Sequence, residues 1–203
     1  MPELILRILQ GERELFHELA YRYERSVFVT AFAILRNHAD AEEAAQETMV
    51  KAFTRLNQLK SPDRFKGWLM HIAVNEAKLK RRGRREYKFE SLEGNVEQQD
   101  DQFMPRDFAD WREIPSESLE RKEIREAVAS ALEELSPIYR EIFILRDVQQ
   151  INVAECAQIL GVNEQVIKIR LHRARLKMRE KLAPAFKRRW FDRLLSLKGK
   201  NPW

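Results

Sequence analysis

The chain has 203 residues, 44% of them hydrophobic and 34% charged, with 37 Lys and Arg against 32 Asp and Glu and a formal net charge of +5. Six glycines, seven prolines and a preponderance of Ala, Leu, Glu, Lys, Arg and Gln disfavour a turn-rich β protein and favour helices. One cysteine, Cys156, excludes an internal disulfide and a cysteine metal cluster, and no apolar run approaches the ~18 residues of a membrane span.

The start, MPELILRILQGE, is apolar for only a few residues and does not read as a secretory signal, so the cytoplasm is the expected location. Residues 12–35 then read as an amphipathic helix, with Leu15, Leu19, Tyr23, Val27 and Ala31 recurring every four residues. Asn37-His38 breaks it. Asp40 stands three residues before Glu43, a capping-box spacing that predicts a second helix over about 41–59. Its apolar face is Ala41, Ala45, Met49, Ala52, Phe53 and Leu56. Ser61-Pro62-Asp63 ends that helix and predicts a third over about 64–82, with Phe65, Trp68, Leu69, Ile72 and Ala73 on one face. Three such helices suffice for one small bundle.

Composition then shifts sharply. Residues 78–85, KLKRRGRR, carry six positive charges in eight positions. Residues 90–120 carry ten acids against two arginines, a net of −8, and show no helical period until about Ser118. That segment reads as a flexible linker. A helix over 118–134 follows, and Ser136-Pro137 predicts another running to about Val148.

Residues 152–181 carry the most specific local signal. Asn152 caps a short helix with Glu155 completing the box, Gly161 can take the left-handed conformation that ends it, and Asn163 caps the next. Cys156, Ala157, Leu160, Val162, Ile167 and Leu171 fill the crossing of the two helices. This is the spacing of a DNA-binding helix-turn-helix. Ten Lys and Arg lie between Val166 and Arg189 against one acid, Glu180, so the second helix suits a groove of duplex DNA. Taken alone, the same charge also fits a solvated basic helix.

Two stretches, DAEEAAQETMVKAFTRL (40–56) with FKGWLMHIAVNEAKLKRRGRRE (65–86), and LSPIYREIFILRDVQQINVAECAQILGVNEQVIKIRLHRARLKMREKL (135–182), resemble the second and fourth conserved regions of bacterial RNA polymerase sigma factors. The resemblance is to the extracytoplasmic-function group of the sigma-70 family. It implies an all-α fold of two small helical domains: 1–88, like region 2, for core polymerase and the −10 element, and 118–183, like region 4, for the −35 element. Residues 89–117 would be the acidic linker and 184–203 a basic amphipathic tail.

The resemblance also implies residue roles. Asp40, Glu43, Gln46, Glu47, Lys51 and Phe53 would meet the polymerase clamp helices, although without the likeness they read as an ordinary solvated face. Arg64, Phe65, His71, Asn75 and Lys78 would hold a flipped base and its phosphates in the melted −10 element. Trp68 fits the core or a stacking platform, and the basic run 78–85 fits phosphates or a solubilising helix end. Gln165, Lys168, Ile169, His172 and Arg173 would read −35 DNA, with Arg170 and Arg175 on phosphates. Arg or Lys favours guanine, Gln adenine, and Ile can meet a thymine methyl. The chain departs from the family where Gln165-Val166 replaces a common Gly-Thr and Ile169 replaces a common Ser, losing a hydroxyl and gaining an apolar group.

The partners implied are core RNA polymerase, promoter DNA and an anti-sigma factor, with no obligate homo-oligomer, and the function is promoter-specific initiation in response to a signal or stress. A free-standing helix-turn-helix regulator is the alternative, and a small nuclease the remaining class. No catalytic residues and no cofactor are expected: there is no phosphate loop or nucleophile elbow, and His17, His38, His71 and His172 share no metal-ligand spacing. Cys156 is expected to be an inert core thiol. The tail face of Phe186, Trp190, Leu194 and Leu197 suits packing on the second domain, a regulator, or a membrane surface.

Overall fold

The computed structural model describes the backbone of residues 2–91 and 119–198, and side chains within 2–83 and 124–183. Eight α-helices and no strand occur among the described residues. The first half holds α1 (Pro2–Leu9), α2 (Phe16–Leu35), α3 (His38–Thr54) and α4 (Phe65–Ser91); the second holds α5 (Leu119–Glu133), α6 (Pro137–Phe143), α7 (Val153–Leu160) and α8 (Glu164–Lys198). The acidic segment expected as a linker lies outside the described residues from 92 onward, and so do the side chains of the tail, whose backbone continues α8 to Lys198.

Helices α2, α3 and α4 pack into one bundle around Leu19, Val27, Phe28, Ala31, Phe32, Ala41, Ala52, Leu69, Met70 and Ala73, all buried. Helix α1 was not legible as a helix. Its Ile5 and Ile8 are spaced to meet the core and are 1% and 5% exposed, while Gly11, at φ 122°, turns the chain into the 3-10 turn Arg13–Leu15 that opens α2.

The cap of α3 also differs from expectation. Arg36 adopts the left-handed conformation and Asn37 is extended, so the Asn37 Oδ1 accepts from the Asp40 N–H at 2.9 Å and α3 begins at His38. Asp40 is therefore capped rather than capping. The helix stops at Thr54, short of 59, and Pro62 begins a 3-10 turn that feeds α4. Helix α4 passes the expected 82 and reaches Ser91.

In the second half, Pro137 occupies the first turn of α6, which loosens into a π-helical turn at Ile144–Val148. Asn152 caps α7 by accepting from the Glu155 N–H at 2.8 Å, Gly161 ends it at φ 69°, and Asn163 caps α8 by accepting from the Val166 N–H at 2.8 Å. Cys156, Ile167, Leu171, Ala174 and Met178 are buried where the helices cross. Burial pushes the Cys156 thiol up to about 11.

The two halves also pack on each other, which no sequence pattern announced. Helix α6 lies on α2, and α7 on α4. Arg140, 2% exposed, joins them: its guanidinium donates to the carbonyls of Leu132 (2.8 Å), Glu133 (3.0 Å) and Leu135 (2.6 Å) at the end of α5 and to Ala33 of α2 (3.3 Å). Burial, with Arg36 nearby, lowers its pKa to about 10, and four carbonyls satisfy the charge that water has left. Gln149 donates to the Ser26 carbonyl at 3.1 Å, and Arg81 pairs with Glu141 at 3.2 Å.

Candidate nucleic-acid and polymerase-facing surfaces

On α8, the buried face of Ile167, Leu171, Ala174 and Met178 turns Gln165, Lys168, Ile169, His172 and Arg173 to solvent. All five are exposed, as a groove-reading helix requires. Arg170 is half-buried. Arg175 is exposed but engaged: its guanidinium donates to both oxygens of Asp147, at 2.8 and 2.5 Å, and this bond raises its pKa. Lys181 pairs similarly with Glu134, and the Lys177 ammonium lies 5.5 Å from the centre of the Tyr139 ring.

Arg64, at the end of the 3-10 turn that feeds α4, and Trp68, His71, Asn75 and Lys78 of α4 follow one another at helical spacing on one stripe. Arg64, His71 and Asn75 are exposed, whereas Trp68 and Lys78 are half-buried. Phe65 is a correction. At 3% exposure it packs edge-on to Tyr23 (5.3 Å between centres) and beside Trp68 (5.9 Å), so it supports the stripe and offers no free ring face. Trp68 packs against the core, half-buried, and its remaining surface lines a pocket. Burial and the neighbouring Lys78 hold the His71 imidazole below its ordinary pKa and favour its neutral form.

That pocket, about 210 Å³, is lined by Arg64, Gly67, Trp68 and His71 from the first half and by Glu155, Gln158 and Ile159 of α7 from the second. The contact is close: a Cβ on Gly67 would stand 3.0 Å from the Glu155 carboxyl carbon. Glu155 thus bears on α4 through its side chain, a role its position in a capping box does not suggest.

The six residues expected to meet polymerase separate. Lys80 of α4 ties Glu43 at 2.5 Å and Asp40 at 3.7 Å, and Lys51 bridges Glu47 (3.4 Å) and Glu76 (2.5 Å). The Glu76 bond is the main reason that the Lys51 pKa is raised. Phe53 packs edge-on to Phe16 at 5.1 Å, with the Arg13 guanidinium 5.9 Å from its ring centre. Gln46 alone of the six enters an open groove of about 590 Å³ between α2 and α3, with Ala20, Tyr21, Phe28, Met49 and Val50. Tyr21 is 72% exposed and Val50 56%. Sequence periodicity missed both, because each falls on the polar side of its helix; an apolar residue at a polar position was the available signal.

Among the described residues no group of three or more His, Cys, Asp or Glu could hold a metal ion, and no helix is long and apolar enough to cross a membrane.

Comparison with known proteins agrees with this layout. Residues 19–86 match the family model for sigma-70 region 2, and residues 125–178 that for sigma-70 region 4. The chain is 26% identical over 185 residues to the RNA polymerase sigma-H factor of Pseudomonas aeruginosa, covering 90% of this chain and 93% of that one. It is 21% identical over 178 residues to the ECF RNA polymerase sigma factor SigW of Bacillus subtilis, covering 88% and 94%. Among solved structures, the sigma factor RpoE of Bartonella quintana, in complex with the anti-sigma factor NepR, matches with a TM-score of 0.63 at 24% identity over 83% of this chain and 96% of that one. CnrH, in complex with the cytosolic domain of CnrY, matches with a TM-score of 0.57 at 23% identity, over 90% and 97%. These two likenesses concern the fold, and the two family matches fall in order on the halves that carry the α4 stripe and the α8 helix. The chain belongs to the sigma-70 family of RNA polymerase sigma factors, in its extracytoplasmic-function group.

Proposed function

We propose that this chain, a sigma factor that binds core RNA polymerase and directs promoter-specific initiation, divides that work between its halves. Residues 1–88 grip polymerase and hold the melted −10 element, residues 118–183 read the −35 element, and the acidic segment 89–117 joins them. It acts in the cytoplasm, with polymerase and DNA as its partners and no resident cofactor.

The polymerase contact centres on the groove between α2 and α3. Exposed Tyr21 and Val50 beside Met49 give an apolar floor that suits a helix of the partner, and Gln46 with Glu42 adds polar contacts at its edge. Asp40, Glu43, Glu47, Lys51 and Phe53 flank it as a charged and aromatic rim. The −10 strand would follow the α4 stripe: Arg64 and Lys78 on phosphates, His71 and Asn75 on base edges, and the free side of Trp68 as a stacking surface. Because α7 lines the same pocket, strand and α7 cannot occupy it together, and promoter binding requires the halves to part. Gln165, Lys168, Ile169, His172 and Arg173 meet −35 DNA, with Arg170 and Arg175 toward phosphates. An anti-sigma partner follows by likeness to RpoE, which is in complex with the anti-sigma factor NepR.

The observation that carries this reading is the pairing of an α4 stripe with an exposed helix-turn-helix in the order of the two sigma regions. Run-off transcription by core polymerase plus the full chain on genomic DNA tests it. Discrete RNA starts that depend on the chain are expected. Sequence-specific DNA binding with no retention of core polymerase would favour the free-standing regulator instead.

A further inference from the structure

Resting on the −35 assignment above, the charge pattern of α8 allows a finer one. Successive residues of an α-helix are about 100° apart. Opposite the buried Ile167, Leu171, Ala174 and Met178, the outermost line of the helix is therefore Gln165, Ile169, His172 and Leu176. Cations flank that line, Lys168 and Arg175 on one side and Arg170 and Lys177 on the other, while Arg173 stands as near its centre as His172. Ile169 is 47% exposed and Leu176 41%, so the line has an amide at its N-terminal end and aliphatic groups along it.

A helix seated in the major groove meets base edges along its innermost line and phosphates at the two walls. We propose that Gln165 and Ile169 read bases, Gln165 taking an adenine edge and Ile169 the 5-methyl group of a neighbouring thymine, while Lys168 holds a backbone phosphate. This reverses the simplest expectation from side-chain chemistry, in which Lys168 would select guanine. The physical reason is desolvation. Opposite guanine, the Ile169 side chain would strip water from the N7 and O6 acceptors and give no hydrogen bond back; opposite thymine it buries a methyl. Cytosine offers no methyl, and its N4 amino donor would likewise lose water without gaining a partner.

The test uses the full chain bound to core polymerase and a duplex library with a randomised upstream element. The enriched duplex is then rebuilt with deoxyuridine in place of each thymine, which removes only the 5-methyl group. One thymine is expected at which this swap weakens upstream binding about three- to fivefold for the parent chain. The same swap should leave Ile169→Ser unchanged, and since Ile169 is exposed the variant should keep its thermal midpoint. Gln165→Ala should lose the preference for the adjacent adenine. An enriched element indifferent to methyl removal, or one equally sensitive in Ile169→Ser, overturns the inference and leaves the promoter reading standing. Failure to enrich any upstream element overturns both.

Discussion

The two helices proposed to face DNA differ in how far the rest of the chain covers them. Helix α8 presents Gln165, Lys168, Ile169, His172 and Arg173 freely to solvent, whereas the α4 stripe shares its pocket with Glu155, Gln158 and Ile159 of the other half. One surface stands open and the other is partly covered. A groove-entering helix needs only its own domain behind it, and its apolar back settles its orientation. The α4 stripe stays partly covered for as long as α7 packs on it. The lesson is that local chemistry makes a nucleic-acid surface, while packing elsewhere decides when it can be used.

The largest expected effect comes from breaking the joint between the halves. Arg140→Ala removes one guanidinium from four carbonyls in a dry setting, and should cost about 3 kcal/mol, read as a lower denaturant midpoint. A cost below about 1 kcal/mol would mean that water replaces the guanidinium and that the joint is not held there.

Next is the polymerase groove. Val50→Asp places a carboxylate on an apolar floor and should weaken core polymerase binding by about 2 kcal/mol, roughly 30-fold, without changing isolated DNA binding. The double change Gln46→Ala with Glu47→Ala should do less, because only Gln46 lines the groove. Unchanged affinity in a pull-down titration of Val50→Asp would move the interface elsewhere.

A smaller effect sharpens the account of α8. Lys168→Ala should weaken −35 binding by about 1 kcal/mol, almost equally on all sequences, and reduce the salt dependence. Loss confined to sites containing guanine would restore it as a base reader. Smallest is the pair of Arg175 with Asp147, which lies at the surface: Asp147→Asn should change stability by no more than about 0.5 kcal/mol and slightly strengthen DNA binding by releasing the cation. Weaker DNA binding would show instead that Asp147 positions Arg175.

The Cys156 thiol provides a check on folding that touches neither surface. Its pKa, raised to about 11 by burial, keeps it protonated at neutral pH, and iodoacetamide should label it only as the chain unfolds. Labelling at the rate of an exposed thiol in the folded protein would show that the helix-turn-helix core is looser than its packing.

Residues spaced along one helix determined much of this molecule by themselves. Leu19, Val27 and Ala31 place α2; Ser136-Pro137 starts α6; Asn152, Gly161 and Asn163 bound the helix-turn-helix, because caps and apolar periods act within a few residues. Which side of α8 faces solvent was legible by the same short-range logic. What depended on a meeting of distant residues was not legible. Helix α1 is held by burying Ile5 and Ile8 against later helices, Phe65 turns inward against Tyr23, and Lys80 and Lys51 pair with Asp40, Glu43 and Glu47 of α3. The joint of Arg140 with Ala33 spans 107 positions. Propensity and capping are local energies that any reader of the chain can sum, whereas burial and charge pairing depend on neighbours that only the folded chain supplies.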